Sequence, residues 1–256
     1  MRMQYSDYPT YLLFGLLFLI GCTAPPDLTD PQYIVDRAIE AHGSTVLNKS
    51  HLEFDYRGKH FIATRNDGVF SYERLYSDST GNVREVLNND EVFKEINGER
   101  VDLTEKKRYS IQETLNSVVY FGFVPFFLND PAVQKKFLGE TIVEDNPYLL
   151  VEITFAQEDG GPDYEDRFVY WFHKETFTMD YLAYDFHIND GGTRLRKAYN
   201  IRTIEGVRVS DFYNYSSDVL PQPGTPIETY GEVLTRGDAK LLSEINLENV
   251  TIRQLE

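Results

Sequence analysis

The sequence predicts a mainly β protein of the α+β class: one long curved antiparallel meander sheet, or half-open barrel, with a few helices on one face. Three observations predict it. From about residue 51 apolar side chains recur at every second position, the period of a strand. Short turn signals such as Asp67-Gly68, Asn97-Gly98 and Asp190-Gly191-Gly192 separate these runs at hairpin spacing. Aromatic residues form 14% of the chain, which suits the large side chains of a β core or groove.

The first element is an address. Tyr11 to Gly21 carries no charge, but a helix needs about 20 apolar residues to span a bilayer. The run therefore reads as the apolar part of a secretory signal. Leu19-Ile20-Gly21-Cys22 resembles the bacterial lipobox, and the resemblance implies acylation of the Cys22 thiol and cleavage before it. Residues 1–21 are thus expected to be a lipoprotein signal peptide, 22–29 the lipidated Cys and a tether, and 30–256 a single β-rich domain. This places the protein in the cell envelope, held by its N-terminal lipid to the outer membrane or its periplasmic face. Cys22 is the only cysteine, so disulfides and Cys-based zinc sites are excluded.

Asp30-Pro31 opens a helix, Asp as N-cap and Pro in the first turn, with Ile34, Val35, Ala38 and Ile39 on one face and Gly43 as the stop. Strands are expected at about 52–57, 59–65, 68–76, 83–88, 91–96 and 99–103. Ser110-Ile111-Gln112-Glu113 reads as a capping box opening a second helix through about Phe121. Val118 to Leu128 is the most apolar stretch after the signal, and Pro125 breaks it. Asn129-Asp130-Pro131 is expected to start a short helix to about Phe137. A second run of strands follows at about 148–157, 166–173, 178–188, 193–203 and 207–215. Residues 218–230 read as a Pro-rich loop, and one strand at about 244–254 closes the chain.

The net charge of −16 disfavours nucleic acid as a partner. The five His residues (42, 51, 60, 173 and 187) form no HExxH, and no GxSxG nucleophile elbow occurs, so no catalytic residue is nominated. Five carboxylates crowd residues 158–166. Asp159, Asp163 and Asp166 could serve Ca²⁺ as hard oxygen ligands on a glycine loop, although EF-hand spacing is absent; a solvated acidic hairpin tip is the plainer reading. Arg194, Arg196, Asn200 and Arg202 alternate on one strand face, where they could hold an anion or pair with Asp185 or Asp211. Phe168, Tyr170 and Phe172 alternate with Val169, Trp171 and His173, so both faces of that strand are apolar and both must be covered.

Several segments resemble a group of Bacteroidota lipoproteins, domain-of-unknown-function family 6503. They are Ala38 to Gly43, Asn116 to Phe121, Gly160 to Asp166 with Val169-Tyr170-Trp171, Asp180 to Tyr184, and Gly191 to Arg196. The resemblance implies a periplasmic or outer-membrane lipoprotein with a fold similar to the lipoprotein-carrier half-barrels. The expected function is binding or carrying a hydrophobic molecule (a lipid, an acyl chain or a lipoprotein tail) in a concave groove lined by Tyr120, Phe123, Phe126, Phe168, Tyr170, Trp171, Tyr184, Arg194 and Arg196. The alternatives are a structural or interaction lipoprotein with an envelope protein partner, and a carboxylate-dependent envelope enzyme using Asp163 and Asp166.

Overall fold

The structure, a computed structural model, describes residues 26–156, 166–186, 192–216 and 226–256. It begins with helix α1 (Pro31–Ala41), whose N-cap Asp30 accepts a hydrogen bond from the Gln32 amide at 2.9 Å and which buries Ile34, Val35, Ala38 and Ile39. Six strands follow as hairpins: β1 (Lys49–Tyr56), β2 (Lys59–Asn66), β3 (Val69–Asp78), β4 (Gly81–Asn88), β5 (Val92–Ile96) and β6 (Glu99–Val101). Helix α2 (Glu105–Gly122) then crosses to a second meander of β7 (Val133–Val143), β8 (Asn146–Phe155), β9 (Arg167–His173), β10 (Met179–Phe186), β11 (Gly192–Ile204) and β12 (Val207–Ser216). Helix α3 (Tyr230–Arg236), β13 (Lys240–Ile245) and β14 (Glu248–Gln254) close the chain.

The meander divides into two open seven-stranded antiparallel sheets, ordered β14-β1-β2-β3-β4-β5-β6 and β13-β12-β11-β10-β9-β8-β7. The last hairpin joins them, because β13 adds to the second sheet and β14 returns to pair with β1, Ile252 opposite Leu52. The expected closing strand is therefore two strands, one for each sheet.

Three other elements differ from expectation. Helix α2 starts at Glu105, five residues before the expected capping box, because the Thr104 side chain caps it by accepting from the Lys107 amide. The helix expected after Pro131 is the strand β7, paired with β8 from Val133 opposite Phe155 to Val143 opposite Asn146. Its signals were Gly139, held at φ +131° at a bulge, and the β-branched Thr141, Ile142 and Val143. Helix α3 follows the stretch read as a loop, and it is too short for its periodicity to stand out.

Three clusters form the core. Leu52, Phe54, Phe61 and Ala63 of the first sheet pack against Ile111, Leu115 and Val119 of α2. On one face of the second sheet, Leu149, Val151, Tyr170, Phe172 and Leu182 pack against α1. On its opposite face Leu150, Val169, Trp171 and Leu195 meet Tyr230 and Val233 of α3. Helices thus cover both faces of the second sheet, as the two apolar faces of β9 require.

His42 and Gly43 bind the end of α1 to this sheet. His42 Nε2 accepts the Met179 amide at 2.9 Å, and its carbonyl accepts the Arg208 amide at 2.8 Å. Burial, reinforced by the Arg208 charge, lowers the His42 pKa to about 3, so the ring is neutral and can accept. Gly43 lies at φ +64°, and a Cβ there would sit 2.0 Å from the Gly206 carbonyl oxygen. The Ala-His-Gly segment is therefore explained by packing.

A candidate ligand cavity beside the second helix

The strand period sets the first wall. On β2 the inner positions are Phe61, Ala63 and then Arg65, so an arginine stands where the pattern asks for an apolar residue. Arg65, Phe70 and Tyr72 face the C-terminal half of α2, and Phe155 and Phe168 come from the second sheet. The elements leave between them a cavity of about 560 Å³, completed by Tyr120, Phe121, Phe127, Asp130 and Val133. Its aromatic lining is continuous: Phe121 lies 5.9 Å from Phe168 and 5.6 Å from Tyr120, and Phe155 meets Phe168 edge-on at 5.8 Å.

Polar side chains share the wall: Gln112, Glu113, Asn116 and Ser117 of α2, with Arg65 and Asp130. The Arg65 guanidinium lies over Phe126 and Phe127, 5.1 and 5.3 Å from the ring centres, and donates to the Tyr72 hydroxyl. Burial pushes the Asp130 carboxyl pKa up, while Arg65 and Lys135 pull it back. Burial, with the Tyr170 hydroxyl and Asp130 nearby, raises the Tyr120 hydroxyl well above its ordinary range. These groups and the polar face of α2 can orient the polar end of a guest, while Phe70, Phe121, Phe127, Phe155 and Phe168 offer it rings.

A second cavity of about 170 Å³ lies beside α2, and Ser117 and Phe121 line both. Val118, Phe212, Ile245 and Leu247 make it apolar, and Arg196 is its one charged lining residue. The Arg196 guanidinium lies 4.5 Å from the Phe121 ring centre and 5.3 Å from that of Tyr184, and it donates to the Tyr184 hydroxyl at 3.2 Å.

Among the residues expected to bind ligand, Tyr120 and Phe168 line the larger cavity and Arg196 the smaller. Tyr184 backs both, stacked on Phe121 and Phe168 at 5.8 and 5.3 Å. Phe126 lies beneath Arg65. Phe123 and Tyr170 are buried in the packed core, and Trp171 lies on the opposite face beneath α3. Arg194 lines neither cavity; it lies 4.9 Å from the centre of the Phe186 ring and donates to the Thr193 carbonyl. Further along β11, Arg202 pairs with Asp211 at 3.1 Å, the expected structural ion pair. Cys22, Asp159 and Asp163 lie outside the described residues, and Asp166 is buried just before β9. Among the described residues no group of three or more His, Cys, Asp or Glu side chains is placed to hold a metal. Sequence reasoning missed Arg65, Tyr72, Phe121 and Phe155. Arg65 had a signal, the charged residue on the apolar face of β2; Phe121 lay inside the Asn116–Phe121 motif without being singled out.

The family of unknown function DUF6503 matches residues 11–234. The chain belongs to this family. No curated protein matches it. Among solved structures it is similar to a LolA superfamily protein from Nitrosomonas europaea, with a TM-score of 0.48 and 11% identity over 88% of this chain and 94% of that one. A putative outer membrane lipoprotein-sorting protein domain from Vibrio parahaemolyticus gives a TM-score of 0.44 and 8% identity over 88% and 94%. A DUF1329 family protein from Desulfovibrio piger gives 0.43 and 13% over 87% and 93%. No helix among the described residues is long and apolar enough to cross a membrane.

Proposed function

We propose that this DUF6503 protein is a lipid-anchored protein of the cell envelope that binds or carries a hydrophobic ligand, a lipid, an acyl chain or a lipoprotein tail, in the cavity between the first sheet, α2 and the second sheet. One observation carries the reading: about 560 Å³ is left open between the elements, walled on one side by Tyr120, Phe121, Phe127, Phe155 and Phe168 and on the other by polar residues of α2 with Arg65 and Asp130. Protein interiors are otherwise close-packed, and ligand pockets occupy roughly 300–1,000 Å³. The lipobox at Leu19–Cys22 supports the anchor.

A chain-length series tests the cavity. Each buried methylene contributes about 0.8 kcal/mol, so two more carbons raise affinity roughly tenfold until the cavity is full. Displacement of a fluorescent acyl probe from the mature chain, with Cys22→Ser to prevent acylation, should show that rise and then a plateau. Affinity independent of chain length would sink the reading. The anchor has its own test: cells fed labelled palmitate should label the wild-type chain and not Cys22→Ser.

A further inference from the structure

We propose that Arg196 receives an anionic head group, so that the ligand is an anionic amphiphile carrying a carboxylate or a phosphate. This rests on the ligand-cavity reading above and narrows it to one chemical class.

The case begins with how this chain uses arginine. Arg74 meets Glu85, Arg84 meets Glu73 and Glu95, Arg167 meets Glu152, Arg202 meets Asp211, and Arg208 meets Asp180. In a chain of net charge −16 carboxylates are plentiful, and these arginines found them. Arg196, like Arg65 and Arg194, has no ion pair among the described residues, but Arg65 stands near Asp130 and Arg194 lines neither cavity. Arg196 stands instead on the wall of the smaller cavity, whose other lining residues carry no charge. Its Nε–H is buried and has no acceptor. A buried donor left unpaired is costly, and native structures keep such groups rarely.

The surroundings hold this guanidinium in place rather than neutralise it. The rings of Phe121 and Tyr184 flank it, and one Nη donates to the Tyr184 hydroxyl. The plane is thereby restrained, with Nε–H and the remaining hydrogen of the Nη2 that donates to Tyr184 left for the oxygens of a carboxylate or phosphate. The overall negative field repels anions, so an anionic guest needs a local cation that the protein's own carboxylates have not already taken. Phe121 joins this end to the acyl-sized space, since its ring touches Arg196 and also lines the larger cavity. A ligand reaching both compartments does so by turning that ring aside.

The experiment uses the mature chain with Cys22→Ser and three probes of equal alkyl length, a fatty acid, an alkyl phosphate and a fatty alcohol, above neutral pH. The wild type should bind at least one anionic probe roughly tenfold or more tighter than the alcohol, the worth of a charge-assisted fork. Arg196→Gln should abolish that ratio, Arg196→Lys should keep part of it, and Lys197→Gln, on the other face of β11, should leave it intact. Unaltered melting temperatures and circular dichroism report the fold of each variant. Equal affinity for acid, phosphate and alcohol in the wild type, or a ratio that survives Arg196→Gln, overturns the proposal while leaving the cavity reading standing. Failure of all three probes to bind overturns both. A carboxylate preference points to a free fatty acid, and a phosphate preference to a lipid head group.

Discussion

The two faces of the second sheet are both apolar in sequence and differ in what covers them. Strand β9 sends Phe168, Tyr170 and Phe172 to the α1 face and Val169 and Trp171 to the α3 face. Beneath α3 the packing is complete: Trp171 is fully buried, and a Cβ on Gly231 would lie 2.6 Å from a Val143 methyl. On the opposite face α1 covers one part tightly, while towards α2 Phe168 looks into open volume. Apolar patterning marks a face that must be covered. The spacing of the elements above it decides whether the cover leaves room.

The sharpest break of this contrast is Trp171→Ala. Deleting a fully buried Trp costs about 3–5 kcal/mol, which a urea titration should register as a large fall in midpoint. Survival with less than about 1 kcal/mol lost would mean the α3 face is as loose as the cavity side. Next comes Gly231→Ala, a single added carbon on the tight face. Overpacking of this kind costs about 1–3 kcal/mol, and calorimetry should show a lowered melting temperature; an unchanged one would show that Val143 yields freely.

The third prediction concerns the latch that holds α1 over the second sheet. The folded His42 pKa is about 3 against an ordinary 6.5. Between those values the unfolded chain binds the extra proton, so its contribution to stability is complete above 6.5 and is lost as pH falls towards about 3. The slope contributed by this one group reaches about 1.4 kcal/mol per pH unit. Stability measured just below pH 6.5, above the carboxylate range, should fall in the wild type and stay flatter in His42→Gln. Parallel curves would place the His42 ring in the protonated state.

The smallest expected effect on stability is Ala132→Phe, which adds a ring to the cavity wall. Because the volume is already open, stability should change by only about 0.5 kcal/mol, while acyl-probe binding falls steeply. Binding that survives would place the ligand elsewhere.

The hairpins were readable because each needs only neighbours: alternation sets the face, and turns such as Asp67-Gly68 and Asn97-Gly98, at positive φ in all four residues, set the reversals. Strand β7 was misread because Pro131 is an equally good helix opener, and only pairing with β8 outvotes it. Helix α2 was placed correctly over Ile111, Leu115 and Val119 but entered late, since its first turn is polar and carries no periodic signal. Of the site, the aromatic strand and Arg196 could be singled out from local pattern. Arg65 was marked only as a charge on the apolar face of β2, and neither its role nor that of Phe121 could be read, because both depend on elements far away in the chain.

Alone, the sequence determined the antiparallel meander, the capped first helix, the lipobox and the need to cover both faces of β9. These follow from side-chain period, backbone preference at Gly, Pro and Asn, and local hydrogen bonding. Only the tertiary structure decided that the meander splits into two sheets, that β14 returns to β1, and that Trp171 is core while Phe168 borders a cavity. Those outcomes depend on distances between elements remote in sequence, and an empty volume is a property of the gap between walls that no single wall encodes.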